Sequence, residues 1–159
     1  MKKSILTLCL FLSILNLYSQ IYADLDMFCV DIKIEKDKVA GETRYTTPFE
    51  KQVSFKKLAN SGVEVSYMTL SATSSSPEAG KGIEIYLDQG RTIIKDVITN
   101  VYESGEGQYV HYAEFRLSKD DISKLRNYNI ANFKVFRYSS IVENTLIYKG
   151  YMYCLKNLH

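Results

Sequence analysis

Tryptophan is absent from this chain, proline and histidine occur twice each, and neither sign of charge predominates. Each shortage removes a class of explanation. Proline takes a donor out of a strand ladder, so a chain almost free of it keeps long stretches able to pair. With only His111 and His159, and three scattered cysteines, the chain offers no zinc set, because zinc ligands recur at short fixed spacings. Twenty basic residues against 18 acidic ones give a net charge of +2. A nucleic-acid binder would carry a basic patch or stripe, and a surface drawn to anionic lipid would carry a basic cluster; neither partner is expected. There is no G-x-S-x-G elbow, no EF-hand spacing and no nucleotide-binding constellation. No catalytic set and no cofactor is therefore predicted.

Long apolar runs are missing too, with one exception. Met1, Lys2, Lys3 and Ser4 precede a stretch from Ile5 to Leu17 with few polar interruptions. A spanning helix needs about 20 apolar residues, and here Asn16, Ser19 and Gln20 close the run early. Two cations, a short apolar core and small residues are the plan of a secretory leader, residues 1–19. A retained anchor is the competing reading. Cleavage after Ser19 would leave Gln20 first; because Leu17 is large for its position, cleavage after Ala23 is the alternative. Cys9 lies inside the apolar stretch, so it is not a lipid-attachment cysteine. Losing Lys2 and Lys3 would leave eighteen charges of each sign. The remainder, residues 20–159, is about the length of one domain with one core, and no membrane span is expected in it.

Two cysteines remain after the leader, Cys29 and Cys154. In an oxidising compartment such a pair is expected to form a disulfide. The bond would close nearly the whole domain and require its two ends to be neighbours, with Cα atoms within about 7 Å. Two free, buried thiols are the alternative.

Period-two alternation dominates the rest of the chain. Phe28, Val30, Ile32 and Ile34 alternate with polar residues and predict a first, half-buried strand. Val53 and Phe55, the turn signal Asn60-Ser61-Gly62, then Val63, Val65 and Tyr67 predict a hairpin. A polar stretch from Thr73 to Gly80 predicts a loop. Ile83, Ile85 and Leu87, with Asp88-Gln89-Gly90 and Arg91 to Ile94, predict a second hairpin whose glycine sits in the left-handed region. Ser104 to Gly107 predicts a loop, and Tyr109, His111, Ala113, Phe115 and Leu117 a further strand. Ser118 and Asp121 are placed as a capping box, with Leu117 and Ile122 as a hydrophobic staple, so a short helix should run to Asn127. Phe133 and Val135 predict another strand, and Tyr151, Tyr153 and Leu155 a last one, with Cys154 on its opposite face. About eight strands exceed the usual sheet of four to six. The expected fold is mainly β: an antiparallel β-sandwich or open barrel with one short capped helix.

Several residues are candidates for chemistry. His111 falls on the core face of its strand, where a histidine is usually packed and hydrogen-bonded. A general base needs partners within hydrogen-bond reach. Asp24, Asp26 and Asp31 could in principle serve calcium, though a solvated strand end explains them as well. A pair of carboxyls for glycoside hydrolysis, about 5–10 Å apart, would have to be assembled in three dimensions. Tyrosine is the compositional oddity, with 13 residues. Tyr86, Tyr102 and Tyr112 fall opposite the apolar face, while Tyr148, Tyr151 and Tyr153 crowd the C-terminal end. Exposed tyrosine gives large contact area at low entropic cost, and these six form a candidate binding surface. The bland alternative is that tyrosine simply favours strands.

Val53-Ser54-Phe55-Lys56-Lys57-Leu58, Ile85 to Gly90, and Leu117 to Ile122 followed by Ile130 and Arg137 carry a resemblance. From about Val53 to Cys154 the chain resembles small uncharacterised secreted proteins of Gram-negative gut and oral bacteria. The Tyr18-Ser19-Gln20 ending resembles leaders of the same group. This resemblance implies an exported β-rich module and brings no activity or functional residue with it. The leading expectation is an exported, non-catalytic binding or structural module with a protein or glycan partner. A small extracytoplasmic hydrolase and a barrel-type carrier of an apolar ligand are the alternatives.

Overall fold

The computed structural model describes residues 27–49, 52–143 and 145–158. The expected leader with its two cleavage points, Cys9, Asp24, Asp26 and His159 lie outside the described residues.

Met27–Asp31 is a 3-10 helix, and not part of the half-buried strand that the alternation from Phe28 to Ile34 predicts. Phe28 and Cys29 pack against the core and Ile32 is buried, while Val30 is 84% exposed. Inward residues at 28, 29 and 32 follow a helical turn, and the period-two match there is accidental. The first strand, β1, is Lys33–Asp37, with every residue exposed. Its Lys33, Glu35, Lys36 and Asp37 give the sheet a charged edge, which discourages pairing with a second chain.

The chain then forms β2 (Glu42–Thr46), β3 (Val53–Asn60), β4 (Val63–Ser74), β5 (Lys81–Leu87), β6 (Thr92–Ile98), β7 (Asn100–Gly105) and β8 (Gln108–Arg116). Helix α1 (Lys119–Asn127), β9 (Ile130–Val135), β10 (Tyr138–Ile141) and helix α2 (Thr145–Asn157) complete it. Pairing is antiparallel in both sheets, ordered β1-β2-β3-β4-β8-β7 and β10-β9-β5-β6. Both predicted hairpins form. Ser61 and Gly62 take φ of 48° and 84°, the paired left-handed residues of a tight two-residue turn. Gln89 and Gly90, at 56° and 72°, play the same part after Asp88.

Only Thr99 separates β6 from β7, yet these strands belong to different sheets. The bend is held at this buried threonine. Its N–H and Oγ1 both donate to Gly80 O, at 2.9 and 3.0 Å, and Oγ1 accepts from Gly80 N at 3.1 Å. The sheets therefore curve into a half-barrel, joined at this corner and open opposite it. Period-two burial fills the space between them. Met68, Leu70, Ala113 and Phe115 face inward from the wide sheet. Ile83, Ile85, Ile93, Phe133 and Val135 meet them from the narrow one.

The six-stranded sheet is wider than its partner, so the inner face of β3 lies beyond the narrow sheet's cover. Helix α2 supplies that cover, packing on β3, β9, α1 and the 3-10 helix. The predicted last strand is thus corrected: Tyr151, Tyr153 and Leu155 are helical. Tyr148, Tyr151, Met152 and Leu155 are all buried, and their i, i+3, i+4, i+7 spacing is a helical stripe. Tyr148 meets Phe55 edge-on at 6.4 Å, and Tyr151 meets Phe28 at 6.2 Å. Gly150 matters here, because a Cβ at that position would strike the Phe28 ring. A disulfide joins Cys29 to Cys154 with Cα atoms 5.3 Å apart. It links the 3-10 helix to α2, and not two strands as expected.

Helix α1 begins as the sequence predicts. Ser118 Oγ accepts from Asp121 N at 3.1 Å, and Asp121 Oδ2 accepts from Ser118 N at 2.7 Å. Lys95 Nζ lies 2.5 Å from the same carboxylate. Burial on its own would raise the Asp121 pKa, but hydrogen bonds from Lys95 and Ser118 more than offset it and hold the carboxyl below its ordinary value.

Replacing Cys29 and Cys154 with serine should lower the unfolding free energy by about 2–5 kcal/mol, seen as a lower urea midpoint; an unchanged midpoint would show that packing alone seats α2. A carboxyl with depressed folded pKa adds stability that is complete above its unfolded value, about pH 4, and disappears as pH falls through the folded value. Asp121→Asn should therefore be less stable than wild type at neutral pH, with the gap closing below about pH 4. Parallel stability curves down to about pH 2 would contradict this.

Candidate functional site

The six candidate tyrosines do not share a surface. Tyr148 and Tyr151 are 3% and 1% exposed and belong to the core. Tyr153 is half-buried on α2. Tyr86 lies on the outer face of the narrow sheet, where its hydroxyl donates to Glu84 and Lys134 sits 5.4 Å over its ring. Those two partners, Tyr86 first, hold the Glu84 carboxyl below its ordinary pKa.

Tyr102 and Tyr112 do come together. They project from β7 and β8 on the outer face of the wide sheet and meet edge-on, with centroids 5.9 Å apart. The register explains the contact, since Tyr102 pairs with Val110 and Asn100 with Tyr112, which sets the two rings diagonally across one face. With Phe49, Thr69, Ser71 and Val110 they line a shallow hollow of about 230 Å³. Tyr102 and Phe49 are 54% and 56% exposed. Phe49 was invisible to pattern reading, because Thr47-Pro48-Phe49 has no periodicity.

His111 is fully buried, as its strand phase predicts. Its Nε2 lies 2.9 Å from Ser74 Oγ and 2.9 Å from Ser76 O. A serine and a histidine at this distance resemble a nucleophile and its base. Proton placement argues otherwise. Ser76 O is a carbonyl and only accepts, so we assign the ring proton to Nε2. The basic lone pair then lies on Nδ1, which is buried and has no hydrogen-bond partner among the described residues. Tyr138 covers the ring at 4.1 Å. The phenol of Tyr138 is itself shifted to lower pKa, through hydrogen bonding with Ser76 first and with Arg137 and Ser74 after it, against the opposing effect of burial. The cluster closes the β4–β5 connection onto β8 and β10.

A larger cleft, about 750 Å³, opens where the start of β4, the start of α1 and the end of α2 converge. Lys95, Arg116, Lys119 and Lys156 line it, with Glu64 the one carboxylate among the described residues. His111 borders neither this cleft nor the aromatic hollow. Asp31, the one described member of the proposed calcium group, lies in the 3-10 helix. Among the described residues, no three His, Cys, Asp or Glu side chains group as metal ligands would.

Comparison of the chain with protein-family models, with curated proteins and with solved structures finds no match.

Nitrogen NMR of the neutral His111 ring is expected to show hydrogen on Nε2 and a bare Nδ1. A proton on Nδ1 would make Nε2 a base toward Ser74 and reopen the hydrolase alternative.

Proposed function

We propose that this chain is an exported, non-catalytic binding module that contacts a protein or glycan partner through Tyr102, Tyr112 and Phe49. The observation that carries the reading is the pairing of two tyrosines on adjacent strands with an exposed phenylalanine from the β2–β3 connection, beside Thr69 and Ser71. Aromatic rings with polar tips supply contact area while losing little rotamer freedom, and nearby hydroxyls supply adaptable hydrogen bonds. The hollow is shallow and falls below the usual volume of an enclosing ligand site, about 300–1,000 Å³. That favours a surface contact over engulfment. The inner faces of the sheets, which a carrier of apolar ligands would leave open, are occupied by Phe55, Met68, Leu70 and Phe133.

Export is supported by the leader pattern at Lys2 to Leu17 and by the disulfide between remote cysteines, a bond that persists in oxidising compartments. No described helix is long and apolar enough to cross a membrane.

The purified native protein should begin at Gln20 or Asp24, and a Met1 start would remove the export half of the reading. Screened against glycans and envelope proteins, the wild type should find a partner whose affinity falls about 5- to 30-fold with Tyr102→Ala or Tyr112→Ala, the size of an interface anchor. Tyr86→Ala, on the other sheet, should leave it unchanged. The reverse pattern would move the contact surface elsewhere.

A further inference from the structure

We infer that the cleft between the start of β4 and the ends of the two helices binds an acidic oligosaccharide, one carrying sulfate or carboxylate groups. The site shares no residue with the aromatic hollow and stands independently of it. Its charge is the first argument. Glu64, the carboxylate lining the cleft, lies 2.7 Å from the ammonium of Lys57 and is neutralised by it. Lys95 is likewise paired with Asp121. Arg116, Lys119 and Lys156 remain, and among the described residues none of these three has an ion-pair partner. Three unopposed cations converge, Arg116 and Lys119 from the junction of β8 and α1 and Lys156 from the end of α2, remote in sequence. Like charges brought together repel each other unless an anion joins them, and field lines focus in a concave site.

Shape and lining are the second argument. The volume, about 750 Å³, lies within the span of small-molecule sites, about 300–1,000 Å³. Val65, Leu117 and Ile122 give it an apolar floor. Ser66 adds a hydroxyl with no partner among the described residues. Apolar patches suit the CH faces of sugar rings, a free hydroxyl suits their OH groups, and the cationic rim suits their anions. Arg116 in particular presents a planar fork that matches carboxylate and sulfate geometry. Among the described residues no aromatic side chain lines the cleft, so they offer no stacking platform on which a nucleobase would rest.

Calorimetry with three probes tests this: a sulfated uronate–glucosamine disaccharide, the same disaccharide without sulfate and with its carboxyl reduced, and inorganic sulfate. The sulfated sugar should bind, more weakly as salt is raised. The neutral sugar and the free ion should bind at least tenfold more weakly. The double variant Arg116→Glu/Lys156→Glu should lose at least tenfold in affinity for the sulfated sugar, while Lys119→Gln should lose severalfold. All substituted residues are exposed, and an unchanged thermal midpoint would confirm that the variants fold. No binding of the sulfated sugar at millimolar concentration overturns the inference. So does equal binding of the neutral sugar or of inorganic sulfate, or a double variant that binds like wild type.

Discussion

One buried ammonium group sets the terms for the rest of the molecule. Lys57 lies on the inner face of β3, its side chain 3% exposed, in a position that period two reserves for apolar residues. A charge there is tolerated only if its donors are satisfied, since the effective penalty for burying an ion is several kcal/mol. Lys57 Nζ donates to Leu155 O at 3.0 Å and to Leu158 O at 2.8 Å, and pairs with Glu64. Leu155 O belongs to the last turn of α2, whose carbonyls lack intrahelical partners, and Leu158 follows that turn directly; a cation is favoured at this negative pole of the helix dipole. The buried lysine and the exposed carbonyls solve each other's problem, and they do so only when α2 lies in one place.

That place is fixed by geometry as much as by charge. Four strands cannot cover six, and the uncovered part of the wide sheet includes β3. A fifth strand in the narrow sheet would lay an edge along that gap. A helix covers it with Tyr148 and Tyr151 and leaves no unpaired ladder. The disulfide and Lys57 hold α2 from two sides, with different physics. Cross-linking residues 125 apart restricts the unfolded chain, by about 5 kcal/mol at most in the chain-entropy view. The Lys57 contacts act on the folded state, where desolvation consumes much of their gain. The covalent bond therefore contributes more of the stability, and Lys57 more of the helix's register.

Sequence patterns revealed the elements that bury one face against one neighbour. β3, β5 and β8 alternate cleanly because each has a core side and a wet side, whereas in β4 the buried set is Met68, Leu70 and Ala72, on the face opposite the predicted Val63, Val65 and Tyr67; Ser118 with Asp121 marks α1 by local chemistry alone. Both ends misled for a common reason. The 3-10 helix and α2 pack against each other and against sheet at once, so Phe28 to Ile34 and Tyr151 to Leu155 are apolar on more than one side. Period two can be drawn through such a segment. In α2 the helical set 148, 151, 152 and 155 is equally present in the sequence, and it is the set that the fold buries. The Cys29–Cys154 pairing was within reach because compartment and count imply it without any geometry. Of the tyrosine surface, only the Tyr102–Tyr112 pair comes together, since α2 buries Tyr148 and Tyr151 in the core. The cationic cleft could not be read at all. Its residues come from four stretches that no spacing connects.

The cleft nevertheless owes its charge to the buried lysine. Along the chain the acidic and basic residues nearly balance, and a net charge of +2 gives no hint of an anion site. Folding sorts them. Glu64 is drawn to Lys57 because Lys57 must be satisfied beneath α2, and Asp121 is drawn to Lys95 and its own helix cap. Glu64, which lines the cleft, and Asp121, at the cap beside it, are thus committed to structural roles. Arg116, Lys119 and Lys156 are left facing the opening, without counter-ions among the described residues. An architecture that needed a charged residue in its core has in this way shaped the electrostatics of its surface, and the site arises from how the interior is balanced more than from any excess of basic residues.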